Sequence, residues 1–168
     1  DGYTATSILQ TANETNLDTA FNAWNVADFT WEKVDETGST VGEIRFSGTD
    51  EPEIKNSRSG YAYGPGNDNP QAGDIFITNE YAGSFTPGSF NHYIALHEIG
   101  HALGLAHPFD GSTTQSGKTL TDSLDVTRMT VMSYTNHDRN DYFIDTGAGV
   151  TVGRIHPTGP GMYDIMAM

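Results

Sequence analysis

The chain has 168 residues, a formal net charge of −14 and no cysteine. A chain of this length is expected to form one domain with its own core, and its acidic charge argues against nucleic acid or an anionic membrane surface as partners, because both would repel it. The lack of cysteine excludes disulfides and thiolate ligands, so a metal site must use His, Asp, Glu or Tyr.

Two helices and several short strands are predicted in the first two thirds of the chain. The first residues lack a basic segment followed by an apolar run, so no signal peptide is predicted, and we interpret the chain as a soluble mature form or an excised piece. From Leu17 the apolar residues follow the helical period. Stretches with strand character follow at residues 29–34, 41–46, 61–63 and 74–78.

A second helix is predicted from about residue 89 to residue 103. Thr86-Pro87 and Ser89 are the candidates for its N-terminal cap, and Gly104 is the expected stop. Beyond His107 the chain shows little periodicity until residues 162–168, which predict a third helix. The predicted fold class is α+β, in one domain over residues 1–168, with an upper part at about 1–104 and an irregular lower part at about 105–168.

The strongest chemical signal lies on the second predicted helix. His97 and His101 are four residues apart, so both can project from one helix face onto a single metal ion. Glu98 lies one step around the helix, where its carboxylate can face a water molecule on the metal. Gly104 lets the chain turn and bring His107 round as a third ligand.

A chance origin of this pattern is improbable. The full H-E-x-x-H-x-x-G-x-x-H spacing is expected by chance in roughly four of 100,000 chains of this composition. Three histidines and an open position describe a catalytic zinc site, in which Glu98 acts as general base. A helix with chance histidines on a polar face is the alternative. The motif predicts a zinc-dependent endopeptidase with one catalytic Zn²⁺ ion.

The motif resembles that of the metzincin metallopeptidases, in which it is followed by a methionine turn. Met132 in Val131-Met132-Ser133-Tyr134 matches that turn, and Pro108 after the third histidine resembles the serralysin group. The resemblance implies that Met132 lies beneath the histidines and that Tyr134 binds zinc at rest and then contacts the oxyanion of the transition state. A core methionine and a buried core tyrosine are the alternatives.

The resemblance also implies the surroundings of the site. Asp164 would hydrogen-bond the methionine turn, with an exposed carboxylate at a helix start as its alternative. Gly60, Tyr61 and Ala62 would form an edge strand that pairs with an extended substrate, unless the tyrosines here are core side chains. The implied fold is a two-part catalytic domain. A twisted mixed sheet and two long helices lie above the cleft, and an irregular part ends in a third helix.

Partners and location are implied by the same resemblance. A serralysin-like enzyme would be secreted and would cleave proteins or peptides. It would be bound by a proteinaceous inhibitor. It would also belong to a longer product with a calcium-binding repeat domain. The sequence itself does not establish a Ca²⁺ site. One rival interpretation is an inactive metzincin-like module that binds peptides or proteins, and another is a metal-sequestering module. Of the histidines outside the motif, His92 is interpreted as a surface residue and not a ligand, and a position near the cleft is left open as an alternative for His137.

Overall fold

The computed structural model describes seven stretches of the chain: residues 11–27, 30–35, 37, 41–66, 68–111, 119–137 and 140–168. Residues 1–10, on which the signal-peptide prediction falls, are outside them. The elements in chain order are α1 (Thr11–Ala23), β1 (Arg45–Thr49), α2 (Pro52–Lys55), β2 (Gly60–Ala62), β3 (Asp74–Thr78), α3 (Phe90–Ala102), β4 (Asp141–Asp145), β5 (Val150–Arg154) and α4 (Met162–Ala167).

The larger sheet is mixed and has the strand order β1-β3-β2. Strand β1 runs parallel to β3, and β2 runs antiparallel to β3. All five residues of β3 are buried, as expected for a central strand rich in β-branched and aromatic residues. At one end of β1, the Arg45 guanidinium binds the partner residue Asp74 through Nε and Nη2, at 2.6 and 2.7 Å. This order leaves β2 as an edge strand.

Helix α3 lies at the centre of the molecule, between the sheet and α1. Ten of its 13 residues are buried. Leu17 and Ala20 of α1 and Trp24 of the following 3₁₀ turn belong to the same core cluster as Leu96 and Ile99 of α3. Burial of these apolar side chains on both sides of α3 fixes the helix that carries the motif.

The α+β prediction is confirmed, with differences among the strands. Strand β3 lies where the sequence predicts it, whereas the strand predicted at 41–46 lies at Arg45–Thr49. The strand predicted at 29–34 is wrong over residues 30–34, and Phe29 lies outside the described residues. Trp31 instead packs its ring 5.2 Å from that of Phe21 in α1. Aromatic residues favour a half-buried position on a packed surface. Here helix α1, and not a neighbouring strand, provides the surface for Trp31.

The lower part is less irregular than the sequence predicts. Strands β4 and β5 form an antiparallel hairpin with Phe143 opposite Val152. A turn closes it, in which Thr146 N donates to Gly149 O at 3.0 Å and Gly147 has φ +74°. Strand-forming residues on both sides of a glycine-containing turn could have indicated this hairpin. The predicted third helix is confirmed as α4.

No helix in the described part of the chain is long and apolar enough to cross a membrane.

Candidate metal centre and active site

The start and the end of α3 are defined by specific side chains and turns. Ser89 has extended backbone angles, and its Oγ accepts a hydrogen bond from His92 N at 3.2 Å, which satisfies one donor of the first turn. At the other end Gly104 adopts φ +101°, where L side chains are strained. Leu105 N then donates to Gly100 O at 2.9 Å. This turn reverses the chain and brings His107 back towards the helix.

The three histidines of the motif converge through their Nε2 atoms. His107 Nε2 lies 3.3 Å from His97 Nε2 and 3.1 Å from His101 Nε2. The Nδ1 atoms of the two helical histidines face backbone carbonyls at 2.8 Å, Val131 O for His97 and Leu105 O for His101. A carbonyl accepts only, so each Nδ1 carries the proton and each Nε2 presents a lone pair to the centre of the cluster.

This arrangement fits a tetrahedral cation. The Nε2 lone pairs of His97 and His101 face His107 Nε2 at 3.3 and 3.1 Å, a spacing at which one cation could bind all three nitrogens. Zinc–nitrogen bonds of about 2.0–2.1 Å in tetrahedral geometry place ligand nitrogens about 3.3–3.4 Å apart. Among the described residues, His97, His101 and His107 form the one group of three such side chains that could hold a metal ion. The site residues therefore fit zinc.

The histidines are held in the neutral form that a metal requires. Burial, with a smaller contribution from the neighbouring His101, lowers the pKa of His97 to about 3 and that of His107 to about 4. Burial also lowers the pKa of His101. Neutral imidazoles at neutral pH spare the protein the cost of removing a proton before the metal binds.

Tyr134 lies at the open side of the cluster. Its Oη is 2.7 Å from His107 Nε2, and its ring lies 5.4 Å from that of His97. The residue is 62% exposed, which argues against a core tyrosine. Burial of part of the ring raises the pKa of its hydroxyl, and the Glu98 carboxylate adds to this effect. Tyr134 therefore keeps its proton at neutral pH and lies within reach of the metal position.

Glu98 lies in the wall of the same cavity that His97 and Tyr134 line. The residue is 6% exposed, and burial raises the pKa of its carboxyl to about 8, an effect that the positive charge of Arg58 opposes. A cation at the histidines would lower this pKa in turn. A carboxyl group that exchanges its proton near neutral pH suits general acid–base chemistry.

The methionine turn packs directly beneath the motif helix. Met132 is 2% exposed, and its Sδ lies so close to α3 that a Cβ at Gly100 would be 2.5 Å from it. Gly100, which has no side chain, thus allows this contact. The turn also supplies Val131 O, which orients His97. Met132 packs against α3 at Gly100, and its neighbour Val131 accepts a hydrogen bond from His97.

Asp164 holds that turn from behind. It is 2% exposed, which excludes the alternative of an exposed helix-start carboxylate. Its Oδ2 accepts from Val131 N at 2.8 Å and from Gly161 N at 2.7 Å, and its Oδ1 accepts from Thr130 Oγ1. The side chain ties α4 to the segment that orients His97.

A cavity of about 330 Å³ opens beside His97 and Glu98. Two aromatic residues in its wall, Tyr93 and His156, are stacked with centroids 5.7 Å apart. Tyr93 Oη also donates to Ser133 O at 2.5 Å. Nothing in the sequence singled out these two residues, because they meet only in the folded chain. The remaining wall comprises Ser57, Arg58, Ser59, Gly60, Phe90, Ile94, Thr127, Tyr134 and Asn136.

The predicted substrate strand lies along this cleft. Gly60 is buried and lines the cavity, and Tyr61 and Ala62 are half-buried. The sequence places a strand at 61–63, and the structure shifts it by one residue to Gly60–Ala62. Strands β1 and β2 are the two edges of the larger sheet, and β2 is the edge that borders the cavity, so an extended peptide could be added to it there.

The prediction of a surface position for His92 is wrong. The residue is fully buried, and its Nδ1 lies 3.1 Å from Phe85 O, in the loop that precedes α3. Burial lowers its pKa. It lies five residues before His97, on a helix that is buried on almost every side, so its position on the helix could not show whether it faces solvent.

Comparison with known proteins points to one group. Residues 88–168 match the Met-zincin family model. The chain is 33% identical over 98 residues to "Metalloprotease AprA" of Pseudomonas entomophila (strain L48). The aligned region covers 55% of the chain and 19% of that protein. It is also 34% identical over 115 residues to "Serralysin" of Proteus mirabilis. This aligned region covers 64% of the chain and 21% of that protein. The matched part thus spans about a fifth of these relatives.

Proposed function

We propose that this chain, whose residues 88–168 match the Met-zincin family model, is the catalytic domain of a zinc-dependent endopeptidase. The observation that carries the proposal is the convergence of three histidine Nε2 atoms at the spacing of zinc ligands, next to a buried carboxyl group in a cleft. His97, His101 and His107 would hold the ion. The similarity to two metalloproteases supports the same activity.

The chemistry is divided between the ion and Glu98. Zinc, when bound, lowers the pKa of a water molecule and polarises the peptide carbonyl. The Glu98 carboxylate accepts the proton of the attacking water and delivers it to the amine that leaves. Its position in the wall of the cavity, next to His97, supports this role.

Tyr134 is assigned to the oxyanion that forms when the carbonyl is attacked. Its Oη lies beside the ligand atom of His107, so it can bind zinc at rest or donate a hydrogen bond to substrate. Tyr134→Phe is expected to lower kcat about 10- to 100-fold with little change in KM, because a donor to the transition state is lost. Steady-state kinetics and metal analysis check this, and a variant with parental kcat would contradict the assignment.

The substrate is proposed to be an extended segment of a protein. Edge strand β2 supports main-chain pairing, and the adjacent cavity with its aromatic wall supports an apolar side chain of the substrate. Thr127 and Asn136, which lie on either side of the methionine turn in the sequence, also line this wall.

Removal and return of metal tests the proposed function. Casein hydrolysis is expected to stop after treatment with a chelator and to return when one equivalent of Zn²⁺ is added. The protein's zinc content should follow the activity. A protein that binds zinc stoichiometrically but never cleaves casein or a peptide library would instead be the inactive binding module. A protein that binds several ions without hydrolysis would be a sequestering module.

The finer assignments, which concern the serralysin group, the location and partners, and the two-part division, belong to the same proposal. Membership of the serralysin group rests on Pro108, Met132 and Tyr134 and on the similarity to the Proteus protein. Secretion, a proteinaceous inhibitor and a calcium-binding repeat domain rest on that resemblance alone. The division into an upper and a lower part at about residue 104 follows the turn at Gly104 that leads to the third histidine.

A further inference from the structure

Gly60, at the start of edge strand β2, lies against the side chain of Glu98. A Cβ atom built on Gly60 would lie 3.0 Å from Glu98 Oε1 and 3.1 Å from Glu98 Cγ, and 2.8 Å from Ile77 Cδ1. Such distances are shorter than ordinary carbon contacts of about 3.5–4.0 Å. A residue other than glycine therefore cannot share this space with Glu98 as it stands.

The backbone conformation does not explain a glycine here. Gly60 is not among the residues with positive φ, so an L side chain could adopt its backbone angles. Its place in the sheet is regular, because it pairs with Ile77 of β3. The reason for glycine at this position is thus the lack of a side chain and not conformational freedom.

The ends of the Ile77 and Glu98 side chains are the groups that could move away from a Cβ on Gly60, and of these two it is Glu98 that lines the cavity. Ile77 is fully buried in the central strand, and the Glu98 backbone belongs to the buried helix α3. The end of the Glu98 side chain, however, faces the cavity of about 330 Å³ that both residues line. A methyl group on Gly60 would push the carboxylate into that cavity and away from β2.

We propose that Gly60 is a positioning residue, which keeps the carboxylate of Glu98 in its working position because it has no side chain. The inference rests on the proposed function, in which Glu98 exchanges the proton of water and leaving amine. Gly60 also begins β2, the strand with which an extended substrate would pair. It therefore adjoins both the general base and the strand that would bind the substrate main chain.

Gly60→Ala tests this role, with Gly66→Ala as the matched control. Gly66 has nothing within 4 Å of a built Cβ and no positive φ, so its substitution should be neutral. For Gly60→Ala we expect parental zinc content, KM within about threefold, and kcat lower by about 10- to 100-fold, because a displacement near 1 Å costs up to about 100-fold. Parental kcat in Gly60→Ala would overturn the proposal.

A second background separates positioning from general damage. Glu98→Asp shortens the side chain by one methylene and relieves the contact, so Gly60→Ala should reduce its kcat much less than it reduces that of the parent. Equal losses in both backgrounds would overturn the proposal, as would a double variant that fails to fold, since the Ile77 contact would then dominate. A parent without zinc-dependent hydrolysis would refute the proposed function instead, and this inference with it.

Discussion

Glu98→Gln is expected to reduce kcat/KM for peptide hydrolysis by about 10²- to 10⁴-fold while zinc remains bound at the parental level. Glutamine keeps the size of the side chain but cannot accept a proton, and Glu98 is not one of the three ligands. The loss therefore falls on proton transfer and not on metal affinity. Glu98→Ala should behave in the same way, without the hydrogen-bonding capacity of the amide.

Stopped-time peptide assays combined with metal analysis measure both quantities on one preparation. Glu80→Gln is a suitable control, since Glu80 is exposed on the turn after β3. If either Glu98 variant cleaves casein at the parental rate, the assignment of the general base is wrong. If either variant loses its zinc, the residue supports the metal site and its kinetic effect says nothing about proton transfer.

Asp164→Ala is expected to lower the free energy of unfolding by about 3 kcal/mol, because buried donors lose their acceptor at about 1–3 kcal/mol each. The backbone amides of Val131 and Gly161 and the hydroxyl of Thr130 are those donors. For a domain of this size the melting temperature would fall by about 6–12 °C. Zinc affinity should also decrease, because Val131 O orients His97.

Thermal unfolding in a chelator isolates the effect on the fold, and competition with a zinc-binding dye measures the affinity. Asp122→Ala, at an exposed position, is the control and should melt with the parent. Asp164→Asn keeps one carbonyl oxygen and should lose less stability than Asp164→Ala. A melting temperature of Asp164→Ala within about 2 °C of the parent would show that the turn does not depend on this carboxylate.

The sequence by itself determined the parts of the site that follow from local geometry. His97 and His101 are four residues apart on one helix, so their convergence requires only that the helix forms. Gly104 must lie close behind, since a left-handed residue there ends the helix and returns His107. The central strand β3 was equally predictable, because a short apolar run of strand-forming residues has few other places than the middle of a sheet.

Only the tertiary structure decided which distant residues complete the site. Three contacts show this: Gly60 with Glu98, Asp164 with the methionine turn, and the stack of Tyr93 on His156. Each joins segments that lie 33 to 63 residues apart in the sequence and meet only through packing. The burial of His92 depended on the same kind of information. Periodicity reports which face of one element is apolar, but not which other element covers it, and the chemistry of this cleft depends on that pairing.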